Sequence, residues 1–93
     1  MSHNIIIYED IVAFHPGFYL KDLMEFKEIS AEDFAKESMI PTEDVEKIIQ
    51  GDMNLTTPLM IKIAAATRTS SKFWYNLQNE FNRKVFQILH RDF

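Results

Sequence analysis

The side chains able to do chemistry are few and scattered. The chain has 3 histidines and no cysteine. His3, His15 and His90 stand far apart on different segments. A metal site needs three or four donors at ligand distance, and this spacing predicts none. No serine, lysine or carboxylate stands in the arrangement of a nucleophile with its base, so no catalytic residues and no enzyme are expected. Asp22 with Glu25, and Glu32 with Asp33, read as solvated helix faces. Glu43 and Asp44 admit three uses. They complement the dipole of a first helical turn, accept a hydrogen bond from cytosine N4, or meet a protein. Trp74, between Phe73 and Tyr75, reads as core and interface packing rather than a platform for bases. Arg83, Lys84 and Arg91 suit a helix end or an acidic partner.

The elements that must position these residues fit a single domain. The 93 residues are 46% hydrophobic and 26% charged, the balance of an ordinary folded protein with one small core. Without cysteine there is no disulfide or thiolate-metal scaffold. No run approaches the ~20 apolar residues of a membrane span. No secretory signal opens the chain, so a cytoplasmic location is expected. With Gly 2 and Pro 3, phosphate-cradling loops are excluded and helices favoured. The net charge of −4 is unevenly spread. Residues 16–51 carry nine acids against Lys21, Lys27, Lys36 and Lys47. Residues 52–93 carry six bases against Asp52, Glu80 and Asp92. That balance opposes strong sequence-blind binding to DNA, which rests on neutralising phosphates.

Residues 1–14 read as a short strand or extended arm, from the β-branched run Ile5-Ile6-Ile7-Tyr8 followed by Ile11, Val12 and Phe14. A lone strand must pair with something, either a symmetry mate or this chain's own core. His15-Pro16-Gly17 opens a first helix ending near Glu28, with Pro16 at its first position. Its apolar face is Tyr19, Leu20, Leu23, Met24 and Phe26. Ser30 caps a second helix ending near Ser38. Pro41 breaks the chain, and Thr42 caps a third helix with Val45, Ile48 and Ile49 inward and Gly51 past its end. Thr57-Pro58 begins a fourth. Thr69-Ser70-Ser71 caps the longest, with the stripe Phe73, Trp74, Leu77, Phe81, Val85 and Ile88.

Two short helices joined by a tight break and flanked by three others form the helix-turn-helix architecture. His15-Pro16-Gly17-x-x-Leu20-Lys21-Asp22 resembles the opening HPGxxLKE of the HigA-type antitoxins, a branch of the XRE-like helix-turn-helix proteins. Phe34-Ala35-Lys36, Pro41, Val45, Ile48 and Gly51 resemble that family's helix-turn-helix core. Thr69 to Gln78 is similar to its closing TSPEFWLNLQ. The match runs without a gap from His15 to Gln78. The resemblance implies an all-α, five-helix XRE/lambda-repressor-like domain over residues 15–78. An extended N-terminal arm precedes it, and residues 79–93 lengthen the last helix.

By the same resemblance the chain is an antitoxin that acts as a homodimer, binds an endoribonuclease toxin and represses its own operon. It needs no cofactor, metal or membrane. Its partners are an operator in double-stranded DNA and the cognate toxin. The positions facing DNA are then Ser30, Thr42, Glu43, Asp44, Lys47 and Asn54. The chain departs from the family in two ways. Thr42-Glu43-Asp44 stands where Arg, Ser or Gln is usual, and Glu28 and Met39 stand where Gly is usual, which predicts unusual turns. The acidic recognition helix keeps a second reading open, a helix-turn-helix fold that serves as a protein-interaction module with weak or no DNA binding. A last helix from Ser71 to His90 spans roughly 30 Å. Its end overhangs a domain this size, so Phe81, Val85, Phe86, Ile88 and Leu89 are the expected dimer surface.

Overall fold

The first described segment is a hairpin. The computed structural model describes residues 4–91, and its elements run β1 (Ile5–Tyr8), β2 (Ile11–Phe14), α1 (Pro16–Phe26), α2 (Ala31–Ser38), α3 (Thr42–Ile49), α4 (Thr57–Thr67) and α5 (Ser71–Leu89). The two strands pair antiparallel, with Ile5 opposite Phe14 and Tyr8 opposite Ile11. This corrects the all-α expectation: the fold is mostly helical with one small sheet. It also settles the pairing question, because the N-terminal strand pairs with the segment that follows it. The turn is Glu9-Asp10, with Glu9 at φ 54°. Hairpin turns of this length favour Asn and Gly, which tolerate positive φ. Here Arg91, at the far end of the chain, braces the turn instead, bonding Glu9 at 2.7 Å and Asp10 at 2.6 Å. That guanidinium also holds the Asp10 carboxyl below its ordinary range. Ala13 of β2 is fully buried, and β2 packs along α5.

The helices begin where the sequence offers caps. Ser30, Thr56 and Ser70 each accept a hydrogen bond from the amide three residues on, and Pro16 and Pro58 sit in first turns. Thr42 is a correction: it is the first residue of α3, and Pro41 holds the cap position without a side-chain bond. A proline cap fixes the entry of the chain but has no side-chain oxygen to accept from the first amides.

The helices end in a repeated device. Glu28, Met39, Gly51 and Arg68 all take positive φ after a helix. In each case the next amide turns back onto the last helical turn, as Ile29 does to the Met24 carbonyl at 3.0 Å and Asp52 to Lys47 at 2.8 Å. Glu28 and Met39 therefore make the ordinary left-handed turn without the glycine that suits it, at a cost of roughly 1–2 kcal/mol each.

The core lies among the helices. Leu20, Phe34, Val45, Ile48, Ile63 and Trp74 are its fully buried members. The Trp74 indole N–H donates to Thr69 Oγ1 at 2.7 Å, so the largest core residue is also polar-satisfied. Among the described residues no buried polar side-chain atom lacks a partner.

Candidate nucleic-acid interface

α3 buries Val45 and Ile48 and turns Glu43, Glu46 and Lys47 to solvent. Glu43 and Lys47 pair at 3.2 Å across one helical turn. Both are well exposed, so the pair contributes a few tenths of a kcal/mol. It ties the nearest lysine of the helix to one of its acids and leaves Asp44, half-buried, and Glu46 on the same short helix. Ser30 lies exposed at the start of α2, its hydroxyl occupied by the Asp33 amide at 3.1 Å. Lys62, on α4, donates to the Met39 carbonyl in the turn between α2 and α3 at 3.3 Å. It brings a cation to the turn that nothing in the local sequence announced.

The C-terminal end of α3 is held by residues from outside the helix-turn-helix. Four carbonyls at a helix end lack intrahelical partners, and here each is bonded. The Glu46 carbonyl accepts from the Gln50 amide at 3.1 Å, Lys47 from Asp52 at 2.8 Å, and Ile48 from Gly51 at 3.0 Å. The Ile49 carbonyl accepts from the side-chain amide of Asn4, at the foot of the hairpin, at 3.0 Å. Gly51, at φ 83°, supplies the left-handed turn.

His15 fixes the loop beyond. Its ring is fully buried. Nδ1 accepts from the Gly17 amide at 2.9 Å, so the ring proton sits on Nε2 and faces Asn54 Oδ1 at 3.2 Å. Burial pushes the imidazole below its ordinary pKa, against the opposing effects of Asn54, the Met53 backbone and Asp52. Phe81 meets the ring edge-on, with centroids 5.0 Å apart. Gly17 lies so close to α3 that an added Cβ would fall 1.7 Å from the Ile48 carbonyl oxygen. On the other side of the loop, buried Gln78 of α5 accepts from the Leu55 amide at 2.7 Å and donates to Asn82 at 3.0 Å.

The two terminal motifs of the sequence thus converge on one place. His15 and Gly17 from the first, and Gln78 from the last, all grip the end of α3 and the loop after it. Of the expected DNA-facing residues, Thr42, Glu43, Asp44 and Lys47 cluster on α3, and Ser30 starts the neighbouring helix. Asn54 lies at the other end, engaged by His15. Asn4, Gln78 and Lys62 were not foreseen as site residues. Gln78 was visible as the last letter of the closing motif; Asn4 and Lys62 carried no sequence signal.

The expected dimer surface divides. Phe86 and Leu89 are 62% and 67% exposed, whereas Val85 and Ile88 are half-buried. Phe81 is buried against this chain's own His15 and so belongs to its core. No group of three His, Cys, Asp or Glu among the described residues could hold a metal. His3 lies outside the described residues. No described helix is long and apolar enough to cross a membrane.

Two short helices joined by a three-residue turn, packed on α1 and α4 with α5 behind these, define a helix-turn-helix protein. The chain is 32% identical to an addiction module antidote protein of the HigA family from Coxiella burnetii, covering 80% of this chain and 82% of that one at a TM-score of 0.74. It belongs to the HigA family. The antitoxin HigA of Pseudomonas aeruginosa, solved with the higBA promoter, is 28% identical over 85% of this chain and 87% of its own, at a TM-score of 0.78. A curated relative, the uncharacterized HTH-type transcriptional regulator YddM of Escherichia coli K12, is 25% identical over 72% of this chain and 71% of its own. None of these names is that of an enzyme. No protein-family profile matches the chain.

Proposed function

We propose that this chain is an antitoxin of the cytoplasm that binds operator DNA through α3, represses its own operon and neutralises a cognate ribonuclease toxin. The observation that carries the reading is the build of α3. The helix is bonded at its C-terminal end to the foot of the hairpin and closely approached there by α1, while Glu43, Glu46 and Lys47 line its outward face. A relative of the same fold is solved with promoter DNA, which supports the same use here. Homodimerisation through Phe86 and Leu89, with Val85 and Ile88 beneath, would set two such helices on successive half-sites. Half-sites of this kind lie about 34–36 Å apart.

The test is a fluorescence-anisotropy titration against the DNA upstream of the chain's own reading frame and against a scrambled duplex. Preference for the upstream DNA is expected. The salt dependence should be shallower than the slope of roughly −5 to −9 that six to ten phosphate contacts give. Equal affinity for both duplexes would sink operator recognition. The toxin arm is separate: co-expression with the adjacent small reading frame should relieve its toxicity.

The acids on α3 favour a second reading, a helix-turn-helix module that binds protein alone. Under it neither duplex binds near physiological salt, yet the adjacent gene product is still neutralised.

A further inference from the structure

We infer that Asn4 is a positioning residue for DNA recognition, because its side chain clasps the last carbonyl of the recognition helix to the foot of the N-terminal hairpin. The inference rests on the DNA-binding reading above. Asn4 is buried, 7% exposed, although it precedes the first strand. Its two polar ends do different work. The backbone carbonyl accepts from the His15 amide at 2.8 Å, which fixes Asn4 to the start of α1. The side-chain Nδ2 donates to the Ile49 carbonyl at 3.0 Å, across 45 positions of sequence. The other three terminal carbonyls of α3 are bonded by amides from the residues directly after the helix. Those bonds shape the helix end but move with it. The bond from Asn4 ties α3 to something outside itself, and so sets where the helix lies.

The clasp belongs to a set. His15, whose amide holds Asn4, also holds Asn54 through Nε2, and Gln78 holds the Leu55 amide. The end of α3 is thus tied to the foot of the hairpin, and the loop after it to the start of α1 and to α5. Small changes of angle at this anchored end displace the far, open end, where the candidate base-facing side chains sit. Contacts to base edges depend on placement to a fraction of an ångström, whereas contacts to phosphates tolerate more. Loss of the clasp should therefore reduce discrimination between sequences more than it reduces binding to arbitrary DNA.

The experiment uses the full chain with two substitutions. Asn4→Asp keeps the shape and removes the donor. Asn4→Ala removes the donor without adding charge, so a folded variant remains for the comparison. The probes are a duplex selected from a random pool by the wild-type protein, and a scrambled duplex of the same length. For both variants, affinity for the selected duplex should fall about tenfold, the scale of one unmade buried hydrogen bond. Affinity for the scrambled duplex should stay within about twofold. Amide hydrogen exchange at Gly51, Asp52 and Leu55 should quicken by a similar tenfold. A selected-duplex affinity within twofold of wild type, with exchange quickened, would make the clasp merely structural and overturn the inference alone. Unchanged exchange would overturn the clasp itself. A wild type that prefers no duplex would fail the DNA-binding reading, and the inference with it.

Discussion

At its C-terminal end α3 has all four last carbonyls bonded, and residues from the hairpin, α1 and α5 grip it or the loop beyond. At its N-terminal end it starts on Pro41 with no side-chain cap, and Glu43 and Asp44 follow in the first turn. The left-handed residue beside the closed end is Gly51, which takes that conformation freely. The one beside the open end is Met39, which does not. An eight-residue helix cannot hold itself in place, since isolated helices of this length are marginal. The contrast is between an end hydrogen-bonded to a distant part of the chain and an end that starts uncapped and acidic.

The largest break in this contrast should come from Gly17→Ala. The new methyl would collide with the Ile48 carbonyl, and neither backbone can move without disturbing the closed end. A loss of about 3 kcal/mol or more is expected. For a chain of this size that lowers the melting temperature by roughly 12 °C or more. A circular-dichroism melt within a few degrees of wild type would show that α1 and α3 approach less closely in solution.

Acid should act next, through His15. The unfolded chain takes up a proton as the pH falls through its ordinary value near 6.5. The folded chain resists, because burial disfavours the charged ring and Nδ1 must stay free to accept from Gly17. Stability is therefore full above about pH 6.5 and declines below it, by at most ~1.4 kcal/mol per pH unit, until the folded value is reached. Urea melts between pH 7.5 and 5 measure the slope. His15→Asn keeps an acceptor for the Gly17 amide and removes the titration, so its curve should be flatter over this range. An equal slope in the variant would assign the acid response elsewhere.

At the open end, Glu43→Gln with Asp44→Asn should cost about 0.5–1.5 kcal/mol of stability through the helix dipole and the lost pair with Lys47. The same change should tighten binding to a scrambled duplex severalfold by removing charge repulsion. If specific binding instead weakens by about 1–3 kcal/mol, the acids read cytosine. The smallest effect sharpens the contrast rather than breaking it. Met39 is 80% exposed, so Met39→Gly loses little contact. It should relieve the turn by about 0.5–1 kcal/mol after the entropy of glycine is counted. A melting temperature that falls would mean that the Met39 side chain does more than its exposure suggests.

Much of the fold was legible because its signals are local. Pro16, Ser30, Pro41, Thr57 with Pro58, and Ser70 mark helix starts, and Val45 with Ile48 mark the inner face of α3; the cap of α4, Thr56, reads as loop in the sequence. The hairpin was not legible, since Glu9-Asp10 lacks the turn residues that betray one and its brace comes from Arg91 at the opposite end of the chain. The site shows the same divide. The α3 candidates came from the family resemblance alone. The partners that hold the end of the helix and its loop were not legible: Asn54 reaches His15 across 39 positions, and Asn4 reaches Ile49 across 45. Thr42 was misread as a cap because Pro41, beside it, takes that position on backbone geometry alone.

The brace at the hairpin tip also has a place in time. A ribosome makes Asn4 and the hairpin first, α3 soon after, and Arg91 far later. Asn4 can seat on Ile49 as soon as α3 emerges. The hold of Gln78 on Leu55 waits for α5, and the bonds of Arg91 to Glu9 and Asp10 wait for its end. At about 5–20 residues per second, the interval from Ile49 to Arg91 is roughly two to eight seconds. During that interval the nascent chain carries α3 tied to Asn4 while the hairpin tip is still unbraced. A product broken off within α5 keeps every residue of α3 and its bond to Asn4, and lacks the Arg91 brace at the hairpin tip.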